Sequence, residues 1–478
     1  MTQHPKNRRE FFETTAAAAL AGSLIANADA AAEDRSVPRV PKVPKIPRKR
    51  IAIITTLWAY LRHGQHIGDR FLVGYPWEGD WHEPEVEVVS AFVDQKPTAA
   101  DRKSREEEYG FPQGDQSLER AREFGFSLYK TIPETLRCGG PKLAVDGVVL
   151  IGEHGDYPTN DLGQKLYPRA RFFSEIVDVF RADGCAVPVF NDKHLSYSFE
   201  KAQAMVEASR ELGFPMLAGS SLPVGWRMPE MEVPYGARIS EALAITGSRS
   251  LDSAGLHALE ALQCLVERRR GGESGIRRVQ TLTGARVWKA LKDKSWSPEL
   301  MARALSRADL VEGITLKDAR TQDLAAPGVL ESIVPEPQAV LFEYRDGLRG
   351  AALMLDGYVQ DLAYAARVGE SESEVVATEF FAQGHGDEDD VDGPYGHFAY
   401  LSLNIEEMFL TGAATAPIQR TLLTTGMLEA MLDSRHEGHR RLETPWLDVR
   451  YECREPVPWR PVAPRPTGAC LDPWPPAG

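Results

Sequence analysis

The sequence predicts an α/β protein in which a doubly wound parallel sheet is followed by an α+β domain with a large, mostly antiparallel open sheet. Apolar runs alternate with helical patterns up to residue 219, as parallel sheets with crossover helices require. Beyond that residue the strand-like runs become longer, and the last two have little helix between them. The chain of 478 residues is long enough to bury two cores.

The first sheet is predicted from five apolar runs separated by helical patterns. Helices are expected at 116–124 and 199–212, and a short helix begins at Pro133, since proline suits the first turn of a helix. Crossovers of this kind are right-handed and produce a doubly wound sheet. The five strands are expected at 51–55, 86–93, 145–151, 187–191 and 215–219.

The second part of the chain predicts a different architecture. Its strands are long and its helices are few, which indicates an α+β domain on an open sheet. The expected strands are 239–246, 275–283, 339–344 and 350–355, and the expected helices are 256–269, 298–306 and 421–434.

The beginning of the chain has the features of an export signal. The basic stretch K-N-R-R-E-F-F contains the adjacent Arg8 and Arg9 and precedes a small and apolar run at 16–26. Small-residue cleavage options end at Ala28 or Ala30. We therefore expect residues 1–30 to be a twin-arginine signal peptide and the mature protein to be periplasmic or extracellular.

Two proline-rich segments bound the predicted domains. Residues 31–50 form a linker in which proline recurs at every third position, and residues 456–478 form an irregular tail. The folded domains are accordingly expected at 51–220 and 221–455. No later stretch has the uninterrupted apolar length of a membrane helix, so we expect no transmembrane segment in the mature chain.

Charge and cysteine content restrict the possible partners. The 55 basic and 69 acidic residues give a net charge of −14, which repels nucleic acid. The five cysteines have no C-x-x-C spacing, so neither a disulfide framework nor a zinc site is indicated and no metal is expected.

Several segments occur in the order typical of one enzyme family. Over roughly residues 50–451 the chain resembles the Gfo/Idh/MocA oxidoreductases, which include glucose-fructose oxidoreductase and inositol dehydrogenase. The matching segments are F-S-L-Y-K-T-I-P-E-T-L (126–136), V-D-G-V-V-L-I (145–151), N-D-K-H (191–194) in place of the family's E-K-P, P-M-L-A-G (215–219), and S-L-D-S-A-G-L-H-A-L-E (250–260).

The resemblance implies a Rossmann-type dinucleotide-binding domain, a substrate domain and an NAD or NADP cofactor. It also implies a sugar, polyol or sugar derivative as substrate, and a homo-oligomer that pairs through the face of the C-terminal sheet. In place of the family's G-x-G-x-x-G, however, the chain has T-T-L-W-A-Y-L-R-H-G (55–64). We expect the hydroxyls of Thr55 and Thr56 to donate to the cofactor there instead.

Asp94 closes the second predicted strand. An acidic residue at this position accepts hydrogen bonds from the adenosine ribose and favours NAD over NADP. The alternative is an aspartate that merely ends a strand at solvent.

The resemblance places Lys193 beside the nicotinamide, where a lysine stabilises charge or relays a proton, with Asp192 as its acidic neighbour. The alternative is a solvated lysine. His257 matches the histidine of the family's D-x-G-x-H-x-x-D motif and is a candidate general base. Ser253 stands where the motif has its aspartate, with Asp252 one residue away. The alternative is a structural histidine.

The loop G-E-H-G-D-Y-P, which begins at Gly152, follows a strand at its carboxyl end, where open α/β sheets bind ligands. Glu153, His154 and Asp156 are therefore candidate contacts to the cofactor's ribose or the substrate, and Gly152 is a further candidate contact to the cofactor. The alternative is a simple polar turn.

Two classes of function follow. The first is an exported oxidoreductase with Lys193 and His257 as catalytic residues, including a variant that cleaves glycosides through transient oxidation. The second is a noncatalytic binding or scaffold protein that has retained the fold.

Overall fold

The structure is a computed structural model. It describes residues 48–78, 80–109, 114–248, 250–308, 312–314, 321–323, 325–355, 362–370, 374–381, 396–453, 455 and 459–461. The predicted signal peptide, residues 1–30, lies outside these ranges, as do nearly all of the predicted linker and tail.

The chain forms eighteen strands and twelve α-helices within these ranges. The strands are β1 Lys49–Thr55, β2 Tyr75–Trp77, β3 Asp80–His82, β4 Val86–Val93, β5 Ser127–Tyr129, β6 Gly147–Ile151, β7 Val189–Asp192, β8 Met216–Gly219, β9 Arg227–Met228, β10 Ile239–Thr246, β11 Ile276–Thr283, β12 Glu312–Ile314, β13 Thr321–Asp323, β14 Gln338–Tyr344, β15 Arg349–Met354, β16 Leu362–Val368, β17 Glu374–Phe380 and β18 Leu442–Glu443. The helices are α1 His63–Val73, α2 Ala99–Tyr109, α3 Ser117–Phe124, α4 Ile132–Leu136, α5 Arg169–Asp183, α6 Phe199–Leu212, α7 Ser253–Val266, α8 Ala285–Lys292, α9 Pro298–Leu305, α10 Val329–Ile333, α11 His397–Thr411 and α12 Ile418–His436.

The first sheet has six strands in the order β5-β4-β1-β6-β7-β8, and all its pairings are parallel. Its central strands β1 and β6 are buried on both faces, which explains their continuous apolar sequences. The chain first builds outward from β1 to β5 and then crosses to β6, so the topological switch point lies between β1 and β6. The predicted doubly wound sheet is confirmed.

The second sheet has eight strands in the order β18-β11-β14-β15-β10-β16-β17-β9. All pairings are antiparallel except that of β10 with β15. This confirms the predicted large, mostly antiparallel sheet. Helices α7 and α12 pack on one of its faces, and their side chains share one apolar core with the first sheet.

Helix α12 joins the two sheets. Thr421 Oγ1 donates to Ala218 O in β8 at 2.8 Å, and Thr281 Oγ1 in β11 donates to Met431 O at 2.6 Å. Both hydroxyls are buried, so these bonds fix the helix against both sheets. The first turn of α7 is thereby held near the carboxyl edge of the parallel sheet.

The opposite face of the second sheet is largely covered by helices α8, α9 and α10. Trp288 in α8, Trp296 in the connection between α8 and α9, and Leu300 in α9 belong to one apolar cluster with Leu353 in β15. The end of this face at β11 and β14 carries a polar groove lined in part by Arg278, Gln280, Glu343, Arg349 and Arg441. A partner subunit that paired through this face would therefore meet helices and charged side chains rather than an apolar sheet.

In the part of the chain that the structure describes, no helix is long and apolar enough to cross a membrane. Within the same part, no group of three or more His, Cys, Asp or Glu side chains is arranged to hold a metal ion.

Candidate active site

The carboxyl ends of the parallel strands bring together residues that are far apart in sequence. Because β1, β6, β7 and β8 run in the same direction, the segments after them meet at one edge of the sheet. Thr56, Glu153, Lys193 and Ser220 lie in these segments, and all four are buried.

Lys193 follows β7 and is the centre of the site. Its backbone is left-handed, with φ at 60°, a conformation that costs non-glycine residues energy and is often found at functional sites. Its backbone N–H donates to Gly219 O at 3.1 Å, and its Nζ lies 3.3 Å from Glu153 Oε1. The side chain is 9% exposed, so this lysine is not a solvated loop residue.

Glu153 is held between two cations. Arg169, the first residue of α5, donates to Glu153 Oε2 and is itself buried. Burial alone would raise the pKa of Glu153, but the charges of Lys193 and Arg169 outweigh it and hold the pKa well below its usual value. The carboxylate is therefore ionised at neutral pH.

Asp192 pairs with a histidine that the sequence analysis did not identify. His63, the first residue of α1, contacts Asp192 Oδ2 through Nδ1 at 2.7 Å. Asp192 is fully buried, and its Oδ1 has no hydrogen-bond partner in the structure. A carboxylate bound to one ring nitrogen fixes the orientation of the imidazole ring. His63 follows β1 at the carboxyl edge of the sheet, and this position in the sequence could have identified it as a candidate site residue.

His154 lies beside His63, with 5.1 Å between their ring centroids. Its backbone is also left-handed, with φ at 70°, and its Nε2 is buried without a hydrogen-bond partner in the structure. Burial, followed by the charge of His63, lowers the pKa of His154 well below its ordinary value. His194 is buried against Arg169, with Nη1 and Nε2 3.1 Å apart, and its pKa is lowered by burial and by that cation.

His257 is the fifth residue of α7 and is oriented by Glu260, about one helical turn further on. Its Nδ1 is 3.1 Å from Glu260 Oε2, and Ser220 donates to the same carboxylate from its backbone N–H and its hydroxyl. Glu260 therefore supplies the carboxylate that Ser253 lacks. Burial, and then the charge of Lys193, lowers the pKa of His257.

Asp252 also belongs to the cluster. Its Oδ2 accepts from the backbone N–H of Lys165 at 3.1 Å, while Oδ1 is buried without a hydrogen-bond partner in the structure. Burial raises its pKa, and Arg169 and Lys193 oppose that rise.

The predicted cofactor contacts near β1 are engaged by the protein itself. Thr55 Oγ1 donates to Leu57 O at 3.0 Å, and Thr56 Oγ1 donates to Glu153 O. At Gly152 a Cβ would lie 2.4 Å from Arg169 Cγ, so this glycine makes room for the arginine side chain. These three residues hold the loops of the site together.

Asp94 is covered by the loop that follows β6. Tyr157 donates its hydroxyl to Asp94 Oδ2 at 2.7 Å, and Arg171 Nη2 lies 3.4 Å from Oδ1. Gln95 pairs with the backbone of Asp156, accepting from its N–H at 2.9 Å and donating to its carbonyl at 3.1 Å. The carboxylate is thus neither a free ribose acceptor nor a strand end at solvent.

The first turn is packed tightly against α1. Trp58 is fully buried beneath the helix, where a Cβ on Gly68 would lie 2.6 Å from its ring, and its Nε1 donates to Asp69 at 2.9 Å. At Gly64 a Cβ would lie 2.1 Å from Leu57 O. Trp58 therefore fills the core and not the cluster around Lys193.

These contacts decide how a dinucleotide fits the crevice. A nicotinamide dinucleotide in such sheets lies across the switch point, with its ribose on the acidic residue after the second strand. In this chain that residue is Asp94, and it accepts a hydrogen bond from the hydroxyl of Tyr157. The contact between His63 and Asp192 spans the switch point, because His63 follows β1 and Asp192 ends β7. The Lys193 end offers charged groups for the reacting part of a cofactor and its substrate, and an adenosine ribose at the Asp94 end would share the carboxylate with Tyr157 or displace its hydroxyl.

The chain is similar to solved structures but matches no sequence family. No protein-family model matches the chain, and no curated protein matches it. Among solved structures it is similar to GenD2 from gentamicin A biosynthesis in complex with NAD, with 14% identity, a TM-score of 0.48 and coverage of 84% of this chain and 99% of that one.

Inositol dehydrogenases are also among the similar structures. The myo-inositol 2-dehydrogenase of Lactobacillus plantarum is 10% identical, with a TM-score of 0.44 and 83% and 99% coverage of the two chains. The myo-inositol dehydrogenase of Corynebacterium glutamicum is 12% identical, with the same TM-score and coverage. Because these scores are below 0.5, the fold rests on the sheet topology described above, and the activity rests on the site.

Proposed function

We propose that this chain is an oxidoreductase that acts on a small polyhydroxylated substrate, such as a sugar, polyol or sugar derivative, with a nicotinamide cofactor. The observation that carries the proposal is the convergence of Lys193, the His63 and Asp192 pair, and the His257 and Glu260 pair at one edge of the parallel sheet. Buried ionisable groups with opposed charge partners concentrate at catalytic sites.

Each group has a role that its contacts support. Lys193 binds the reacting oxygen and stabilises the negative charge that develops on it. His257, oriented by Glu260 and neutral at neutral pH, accepts the proton of the substrate hydroxyl. Glu153 holds Lys193 in place. The cofactor would supply or accept the hydride.

The test is turnover by the protein from residue 31 onward, with NAD or NADP and a panel of inositols and sugars. With a substrate so identified, Lys193→Met is expected to lower kcat/KM by about 10²- to 10⁴-fold. Lys289→Met, at an exposed helix position, is the matched control and should retain activity. Equal activity in both variants would contradict the role of Lys193.

A second candidate is a noncatalytic binding protein, and the Tyr157 to Asp94 hydrogen bond favours it because it closes the adenosine end. In this case a polyol would bind with the same affinity whether or not a dinucleotide is present, and no turnover would occur. Calorimetry with each ligand alone and with both together separates the two candidates.

We also propose that the protein is exported by the twin-arginine route, because the paired arginines, the apolar run and the small-residue cleavage site occur together. A reporter fused behind residues 1–50 should appear in the periplasm. Replacing Arg8 and Arg9 by lysine should abolish this export, and export by a translocase insensitive to the replacement would contradict the proposal.

A further inference from the structure

A second set of buried polar groups surrounds a small cavity outside the candidate active site. The cavity has room for little more than one or two water-sized spheres. The segments that line it come from β9, the end of α7, the connection between α11 and α12, and the region near the end of the described chain. Its polar lining includes Arg227, Glu232, Cys264, Glu267, Arg268, Thr415, Arg420, Cys453 and Arg460.

Several atoms of this lining have no hydrogen-bond partner in the structure. They are Arg227 Nε, Arg268 Nη1, Thr415 Oγ1 and Glu232 Oε2, all of them buried. The first three donate hydrogen bonds. Arg227 and Arg268 are each only 6% exposed, so bulk water does not satisfy them. Buried donors without partners are rare, because each one costs about 1–3 kcal/mol.

The charge of the lining is unbalanced. Four arginines and two glutamates line the cavity, an excess of two positive charges. Glu267 is paired with Arg420, and Glu232 with Arg227 and Arg460. The fourth lining arginine, Arg268, has Glu232 Oε2 at 3.6 Å from its Nε, so that carboxylate oxygen is also within ion-pair distance.

Two more carboxylates approach these arginines from outside the lining. Glu455 accepts from Arg268 at 2.7 Å, and Glu230 accepts from Arg460. Their side chains are 51% and 41% exposed, so solvent screens their charges. They offset the excess positive charge less than a buried anion would.

We propose that this cavity is a binding site for one small inorganic anion, a halide or an oxyanion. An anion satisfies the guanidinium donors of Arg227 and Arg268 and the hydroxyl of Thr415, and it offsets the excess charge, which a water molecule does not. Because the lining comes from segments distant in sequence, the anion stabilises the fold. A neighbouring cavity shares Thr415 and Arg420 and borders Ser220 and Glu260 of the candidate active site.

The experiment is thermal unfolding of the protein from residue 31 onward at fixed ionic strength. Gluconate, which is too large for the cavity, is replaced stepwise by chloride, bromide or sulfate. The expected result is a saturable rise in Tm of about 3 °C.

Thr415→Val removes a donor that has no other partner, and it should raise the midpoint anion concentration about fivefold. Thr411→Val, on an exposed hydroxyl nearby, is the control and should leave the midpoint unchanged.

Anomalous diffraction from a bromide-soaked crystal gives a readout that does not depend on the variants. A bromide peak between Arg227, Arg268 and Thr415 supports the proposal. A cavity that holds only water, together with a Tm that stays constant as gluconate is replaced, overturns it.

Discussion

The two ends of the crevice at the carboxyl edge of the parallel sheet differ in how their polar groups are satisfied. At the β4 end, Asp94 and Gln95 bond to the loop after β6. At the β7 end, Asp192 Oδ1 and His154 Nε2 are buried without hydrogen-bond partners in the structure. Satisfied groups stabilise a fold, whereas unsatisfied groups are costly and are kept where a ligand uses them. This difference favours ligand binding and catalysis at the β7 end and a structural role for the polar groups at the β4 end.

The largest expected effect comes from two neighbouring arginines in the first turn of α5. Arg169→Met leaves Glu153 buried with one cation fewer and is expected to lower the free energy of unfolding by about 3–5 kcal/mol. Arg171→Met removes an exposed arginine from Asp94 and should cost less than about 1 kcal/mol. Denaturant unfolding of both variants measures the contrast. Equal losses would show that the two ends of the crevice do not differ in this way.

The next effect concerns pH. His154 and His194 have pKa values well below 6.5, so they are neutral in the folded state, whereas the unfolded chain binds protons below that pH. The free energy of unfolding should therefore be steady above pH 6.5 and fall below it, by up to about 1.4 kcal/mol per pH unit for each histidine.

His154→Gln should reduce that slope by up to about one proton. His436→Gln, at an exposed position at the end of α12, is the control and should keep the wild-type slope. Unfolding curves at a series of pH values give the result. A wild-type slope in the His154 variant would mean that this ring is charged in the folded protein.

The smallest effect tests the closed end. Tyr157→Phe removes the hydroxyl that occupies Asp94 and should raise the affinity for a nicotinamide dinucleotide about 2- to 10-fold. Tyr235→Phe, at a residue that is 50% exposed, is the control. Calorimetric titration compares the variants. Unchanged affinity would show that Asp94 makes no contact with the cofactor.

The sheets were predictable because their sequences are locally distinctive. Every predicted strand agrees with an observed strand to within two residues at each end, since buried strands are continuous apolar runs. Helices α1, α2, α5, α8, α10 and α11 were not predicted, and neither were the strands β16 and β17 of the second sheet. Helix α11 is buried around most of its circumference, so it lacks the one-sided pattern by which a surface helix is recognised.

The site was only partly predictable. Lys193, Asp192, His154 and His257 were found by resemblance and by their position after strands. The partner of Asp192, however, lies 129 residues earlier, at the start of α1, and no local pattern links the two. The hydrogen bond from Tyr157 to Asp94 likewise depends on the path of the loop that follows β6. Pairings across the sheet edge need the three-dimensional arrangement.

The most direct test of the central claim is calorimetric titration of NAD and NADP, oxidised and reduced, into the protein from residue 31 onward and into its Lys193→Met variant. We expect saturable binding of at least one dinucleotide to both proteins, with turnover of a polyol or sugar lost only in the variant. No binding of any dinucleotide to the wild-type protein would contradict the oxidoreductase and leave a binding protein that has retained the fold.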